Sequence, residues 1–253
     1  MIKHADRVYF GGDYNPDQWD EATIDEDMRL FKQAGINLVV LPVFSWAKLE
    51  PEENVYRFEW LDRLMDKFAE HDLKVGLATP TTAQPAWLSK KYPEVLPVDK
   101  QGRKRTHGMR VFFCVNSPKY RERAAAIAEQ MAMRYAHHKN LVLWHVANEY
   151  GTYCYCPTCE KKFRVWLKNR YGTIENLNEQ WHTAFWGRTV YDFDEIMLPT
   201  ELNDDNKYYP AVNLDYMRFM TDSTIECFEN EAKVLRRYNP DITIQTNISG
   251  HIE

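Results

Sequence analysis

The chain has 253 residues, 44% of them hydrophobic, enough for one large domain with a substantial core. A net charge of -5 and a pI near 5.9 argue against nucleic acid as a partner, because phosphate binding leaves a basic footprint. The first seven residues lack the apolar stretch of a signal peptide, and no window reaches the roughly 18 apolar residues of a membrane helix, so the expectation is a cytoplasmic protein without membrane contact.

Residues 8–10 read as a first strand, and 23–34 as a helix carrying Ile24, Met28, Leu30 and Phe31 at helical spacing and stopping at Gly35. A second strand follows at 37–41, a helix at 60–71 with Leu61, Leu64, Met65 and Phe68, and a third strand at 74–78. Ser117 and Pro118 then cap and open a long helix through residue 137, which leads into a fourth apolar strand at 141–146. Helices are expected at 159–171, 174–186 and 213–238, with a polar linker at 199–210 before a fifth strand at 242–246. Glu229 and Glu231 read as members of a solvated face of the last helix.

Apolar strands separated by helices indicate a parallel sheet covered on both faces. Five such units, without a GxGxxG fingerprint or a phosphate loop, fit an α/β fold of the (β/α)8 barrel type, here incomplete with about five of eight strands. The expectation is that residues 1–253 form the N-terminal portion of such a barrel, a fragment of a longer protein whose first and fifth strands would be open edges.

Three groups of residues can carry chemistry. The fourth strand runs into Asn148-Glu149, and barrel enzymes place catalytic groups at the carboxyl ends of their strands. A glutamate there, partly shielded by Trp144 and Tyr150, suits proton donation to a leaving oxygen, and Asn148 suits a hydrogen bond to a sugar 2-hydroxyl. The competing readings are a solvated loop carboxylate and a turn asparagine; His145 reads as a packed strand residue. The second group is Cys154, Cys156 and Cys159, with Cys114 forty residues before the first of them. Three thiolates in a CxCxxC array plus a fourth from another loop suit a tetrahedral zinc ion that is structural because no position stays open; reduced free thiols are the alternative. Such an ion would clamp two rim loops beside Glu149, while Cys227 reads as core. The third group comprises Asp13, Tyr14, Trp19, Phe44, Trp46 and Trp87 after the first three strands, either sugar-stacking rim or core, with Arg110 and Asn148 as hydrogen-bonding groups.

The wording around these residues resembles family 42 of the glycoside hydrolases, the β-galactosidases of clan A. The likeness covers nearly the whole chain: GGDYNPDQW at 11–19, FSWAKLEP at 44–51, ATPTTAQPAWL at 78–88, YPEVLPVD at 92–99, WHVANEYG at 144–151, CYCPTC at 154–159, RYGTIENLNEQWHTAFW at 170–186 and TNISG at 246–250. It implies that Glu149 is the general acid/base of a retaining enzyme acting on terminal β-galactosides in short oligosaccharides, with Arg110 and Asn148 contacting the galactose. It also implies a structural zinc on Cys114, Cys154, Cys156 and Cys159, and a homotrimer in which Trp186 aligns with an aromatic lent to a neighbouring active site. Two positions depart from the family wording: Val115-Asn116 stands where Pro-Ser or Phe-Ser is usual, and Ala147 where many members have Asp. The family nucleophile is a glutamate at the end of the seventh strand, so it is expected beyond residue 253, with Glu253 no substitute and the 253-residue chain alone inactive. Rival expectations are another clan A glycosidase of the β-mannanase or cellulase type, and a non-catalytic zinc-stabilised sugar-binding protein.

Overall fold

The computed structural model describes residues 7–108, 110–151, 153–203 and 209–248; Glu253 and part of the 246–250 motif lie outside them. The strands are β1 (Gly11–Asp13), β2 (Leu38–Leu41), β3 (Lys74–Ala78), β4 (Leu141–His145) and β5 (Thr243–Gln245). They form one sheet in the order β1-β2-β3-β4-β5, and every adjacent pair is parallel. The helices are α1 (Glu21–Ala34), α2 (Trp46–Leu49), α3 (Glu59–Glu70), α4 (Ala86–Lys91), α5 (Pro118–Tyr135), α6 (Pro157–Tyr171), α7 (Ile174–Trp181) and α8 (Pro210–Tyr238). Strands in sequential order with helical crossovers are the arrangement of consecutive units of a (β/α)8 barrel, with five of its eight strands among the described residues.

Local chemistry sets the boundaries. Asp20 caps α1 by accepting from the Thr23 amide, and Gly35 ends the helix in the left-handed region at φ 72°. Ile24 and Met28 face the core, whereas Leu30, expected on the same stripe, is exposed. Ser117 caps α5 through the Tyr120 amide, with Pro118 in the first turn, as expected. That helix ends at Tyr135 rather than residue 137. α8 begins at Pro210, three residues before the position expected from its apolar pattern.

Two elements differ more substantially. The first strand is Gly11–Asp13 rather than residues 8–10, and Val8 and Phe10 are exposed. The sheet approaches Gly11 so closely that a Cβ there would lie 1.7 Å from the Leu38 carbonyl oxygen, so pairing occurs where a side chain is absent. α7 stops at Trp181 rather than residue 186, because His182 turns left-handed and the following loop folds back on Asn178. The Asn178 amide donates to the Val190 carbonyl at 2.6 Å, and its oxygen accepts from the Thr183 hydroxyl at 2.6 Å.

The core lies between the sheet and its helices and contains Val39, Leu41, Leu61, Met65, Phe68, Val75, Leu77, Ile127 and Trp144. Beneath the rim, a buried ion pair joins Arg123 to Glu50, which also accepts from the Trp46 indole at 2.8 Å. Among the described residues no helix is long and apolar enough to cross a membrane.

Candidate active site and thiol cluster

Glu149 stands just past the end of β4, in the left-handed region at φ 53°; Ala147 is also left-handed, at φ 52°. Two such residues in three are strained for side chains with a Cβ, and this strand end is pinned from both sides. From the β3 side, the His145 carbonyl accepts from the Thr79 amide at 2.9 Å, the Ala147 amide donates to Thr79 Oγ1 at 2.8 Å, and Thr82 Oγ1 donates to the Asn148 carbonyl at 2.8 Å. From the β5 side, the Val146 amide donates to the Gln245 carbonyl at 2.7 Å and the Glu149 amide to Asn247 Oδ1 at 3.0 Å.

Glu149 Oε2 accepts from Arg110 Nη1 at 2.6 Å, with both side chains partly open to solvent. Arg110 also lies over the Phe44 ring, 5.7 Å from its centroid. Asn148 is buried, and among the described residues its Oδ1 has no hydrogen-bond partner. Three residues singled out from the sequence thus meet at the carboxyl end of the sheet. Beside them is a groove of about 240 Å³ lined by Arg110, Val111, Phe112, Arg105, Asp99 and Tyr153.

Other expected residues fall elsewhere. Trp144 does not shield Glu149: its indole points into the helical layer and donates to Asn239 Oδ1 at 2.9 Å. His145 is buried, and burial lowers its pKa, which suits packing rather than proton abstraction. Trp46 is core, with no exposed surface. Trp87 donates to the Glu50 carbonyl at 2.8 Å, and Tyr14 to Asp27 at 2.6 Å, so both are anchored. Trp19 is exposed beyond β1. Trp186 sits in the loop after α7, 67% exposed, stacked on Phe185 at 4.7 Å with Arg188 over its ring.

The expectation that Glu231 lies on a solvated face is overturned. Its side chain is wholly buried on α8, where Thr81 Oγ1 stands 3.0 Å from each carboxylate oxygen, and burial pushes its carboxyl up to about 8. Glu229, in contrast, pairs with Lys233 at the surface. The sequence did carry a signal: Cys227, Val234 and Leu235 are buried on the same helix at spacings of four, three and four from Glu231.

The four cysteines converge. Sγ atoms of Cys114, Cys154, Cys156 and Cys159 lie within 4.8 Å of one another, all buried and none in a disulfide. Three separations are 3.4, 3.7 and 3.8 Å. A tetrahedral ion with metal–sulfur bonds of about 2.3 Å requires edges of about 3.8 Å, so the donor set fits. Two N–H groups point at the sulfurs: the Val98 amide at 3.4 Å from Cys154 and Asn116 Nδ2 at 3.5 Å from Cys159. Asn116, one of the departures from the family wording, thereby supports the cluster. Hydrogen bonding among the crowded thiols splits them: that with Cys154 foremost holds Cys114 well above the ordinary range, while that with Cys114 foremost holds Cys156 well below it. Cys227 is core, as expected.

Known proteins supply the remaining comparison. The β-galactosidase BgaP of Planococcus sp. (strain L4) is 48% identical over 249 residues, covering 96% of this chain and 37% of that protein. The β-galactosidase LacZ of Heyndrickxia coagulans is 47% identical over 253 residues, covering 99% of this chain and 38% of that protein. The crystal structure of a β-galactosidase from Bacillus circulans sp. alkalophilus superposes with a TM-score of 0.96 at 49% identity, over 100% of this chain and 38% of that one. The chain therefore spans less than two-fifths of the length of these relatives. The family model described as beta-galactosidase, glycoside hydrolase family 42, matches residues 13–253, and the chain belongs to that family.

Proposed function

We propose that residues 1–253 are the N-terminal portion of a (β/α)8 catalytic domain, and that the protein carrying them hydrolyses terminal β-D-galactosides with retention. The observation that carries this reading is the Glu149–Arg110 pair beside the buried Asn148, whose Oδ1 has no partner among the described residues, at the carboxyl end of a parallel sheet. Glu149 serves as general acid/base: it gives a proton to the glycosidic oxygen and later takes one from the attacking water. Arg110 and Asn148 bind galactose hydroxyls. A sugar hydroxyl that takes the guanidinium donors frees the Glu149 carboxyl to turn towards the glycosidic oxygen. The attacking carboxylate, which a retaining site needs at about 5 to 5.5 Å from the acid, is placed on a later strand of the same barrel.

Cys114, Cys154, Cys156 and Cys159 hold a structural zinc. Four thiolates leave no open position, so the ion supplies cross-linking rather than chemistry, tying the loop after β3 to the loop after β4. Five cysteines free of disulfides suit a reducing compartment and support a cytoplasmic location. The exposed, stacked Phe185–Trp186 pair supports a homotrimer in which Trp186 reaches a neighbouring site.

The test uses the full-length protein and a panel of aryl glycosides. The expected result is preference for the β-galactoside, with kcat falling about a thousandfold or more in Glu149→Gln. Preference for glucosides or mannosides, or a Glu149→Gln enzyme as fast as the parent, refutes the reading.

A further inference from the structure

Glu231 is the end of a chain of hydroxyl groups that starts at the strand carrying the acid. The Ala147 amide can only donate, so Thr79 Oγ1, at 2.8 Å, must accept from it and turn its own proton elsewhere. The neighbouring acceptor is Thr81 Oγ1 at 3.4 Å, and Thr81 lies 3.0 Å from both Glu231 oxygens. All four residues are buried. Each hydroxyl therefore accepts from the active-site side and donates towards α8, and the chain ends on a carboxyl group that keeps an oxygen able to accept from Thr81 whether or not the other oxygen carries the proton. Tyr120 fixes the middle of this relay by donating to the Thr81 carbonyl at 2.8 Å.

Removing the terminal acceptor leaves Thr81 free to rotate, Thr79 free to turn its proton towards Ala147, and the Ala147 amide buried without a reliable partner. That amide belongs to a left-handed residue two positions before Glu149, so loosening it moves the acid. Resting on Glu149 as the acid/base, we propose that Glu231 is a positioning residue of the active site: through Thr81 and Thr79 it holds the Ala147 amide and with it the backbone that aims Glu149. It touches neither sugar nor the reacting atoms. Its role in the relay explains why a carboxyl group is buried on α8 among Cys227, Val234 and Leu235.

The experiment compares Glu231→Leu, Glu231→Gln and Thr81→Val in the full-length protein by steady-state kinetics on an aryl β-galactoside and by amide hydrogen exchange over residues 143–150. Glutamine keeps an acceptor oxygen and should restore the relay; leucine removes it. The expected result for Glu231→Leu and Thr81→Val is a kcat lowered about tenfold to a hundredfold with KM changed less than about twofold. Exchange at the Ala147 amide should rise about tenfold while the rest of the sheet stays protected. Glu231→Gln should remain within about threefold of the parent in both measurements. Parent-like kcat and exchange in the leucine variant overturn the proposal, as does a glutamine variant as impaired as leucine, or a uniform rise of exchange throughout α8 and the sheet. If Glu231→Leu does not fold, Thr81→Val decides, since it cuts the same relay without changing α8. A parent protein that cleaves no galactoside would refute the catalytic reading, while exchange at Ala147 would still decide this one.

Discussion

Replacing Glu231 by glutamine removes a titration that should make stability fall as pH rises. In the folded protein burial pushes this carboxyl up to about 8, against an ordinary value of 4.5. Below pH 4.5 both the folded and unfolded chains carry the proton; between 4.5 and about 8 the unfolded chain has lost it and the folded chain has not, so stability declines through that window. Each tenfold change in proton activity across the window is worth at most about 1.4 kcal/mol, so the total effect is on the order of a few kcal/mol. Glutamine keeps an oxygen for Thr81 but has no proton to lose. His145, held neutral by burial, titrates in both proteins and cancels in the difference. The assay is urea unfolding followed by tryptophan fluorescence at a series of pH values from 4.5 to 8.5, for parent and Glu231→Gln. The expected result is a parent whose stability relative to the variant decreases by a few kcal/mol with rising pH. Parallel pH profiles would refute the argument that this carboxyl is buried protonated.

Two further outcomes follow from the described contacts. Cys159→Ser should lower the bound metal from about one ion per chain to a small fraction of that, measured by elemental analysis, and lower the unfolding midpoint, because a structural ion's binding energy is folding energy; an unchanged metal content would refute four-cysteine ligation. Arg123→Met should cost about 3 to 5 kcal/mol in urea unfolding, because it strips the cation from Glu50, a wholly buried carboxylate; a loss below about 1 kcal/mol would show that the pair contributes little beyond its indole bond.

The residues explain which features were legible in the sequence. β3 occupies residues 74–78 as expected, because the short run from Val75 to Ala78, free of polar side chains and set between a helix stop and a Pro-rich segment, has one reading. β1 was displaced because GGD carries no hydrophobic pattern: its position is set by how closely Leu38 approaches Gly11. α2 and α4, four and six residues long, are too short for a helical period to register. The cysteine spacing announced its cluster, since thiols have few other reasons to gather, whereas the supporting N–H from Asn116 had no sequence signal. Glu231 was misread because its partner Thr81 is 150 positions away, and carboxylates on helices are usually solvated.

The bonds around residues 145–149 bear on what Arg110 does. Left-handed backbone at Ala147 and at Glu149 costs of order 1 to 3 kcal/mol each. Five hydrogen bonds from Thr79, Thr82, Gln245 and Asn247 converge on this segment, and none of them involves Arg110. Their combined contribution, at about 0.5 to 1.5 kcal/mol apiece, is comparable to the strain, so the backbone of Glu149 is held without its ion pair. Arg110 reaches the carboxyl from a different loop and stays partly open to solvent, where an ion pair contributes little to stability. On the proposed reading of Glu149 as the acid, the two functions are separable: the sheet and its buried relay would place the acid, and the guanidinium would be left free to exchange the carboxylate for a substrate hydroxyl.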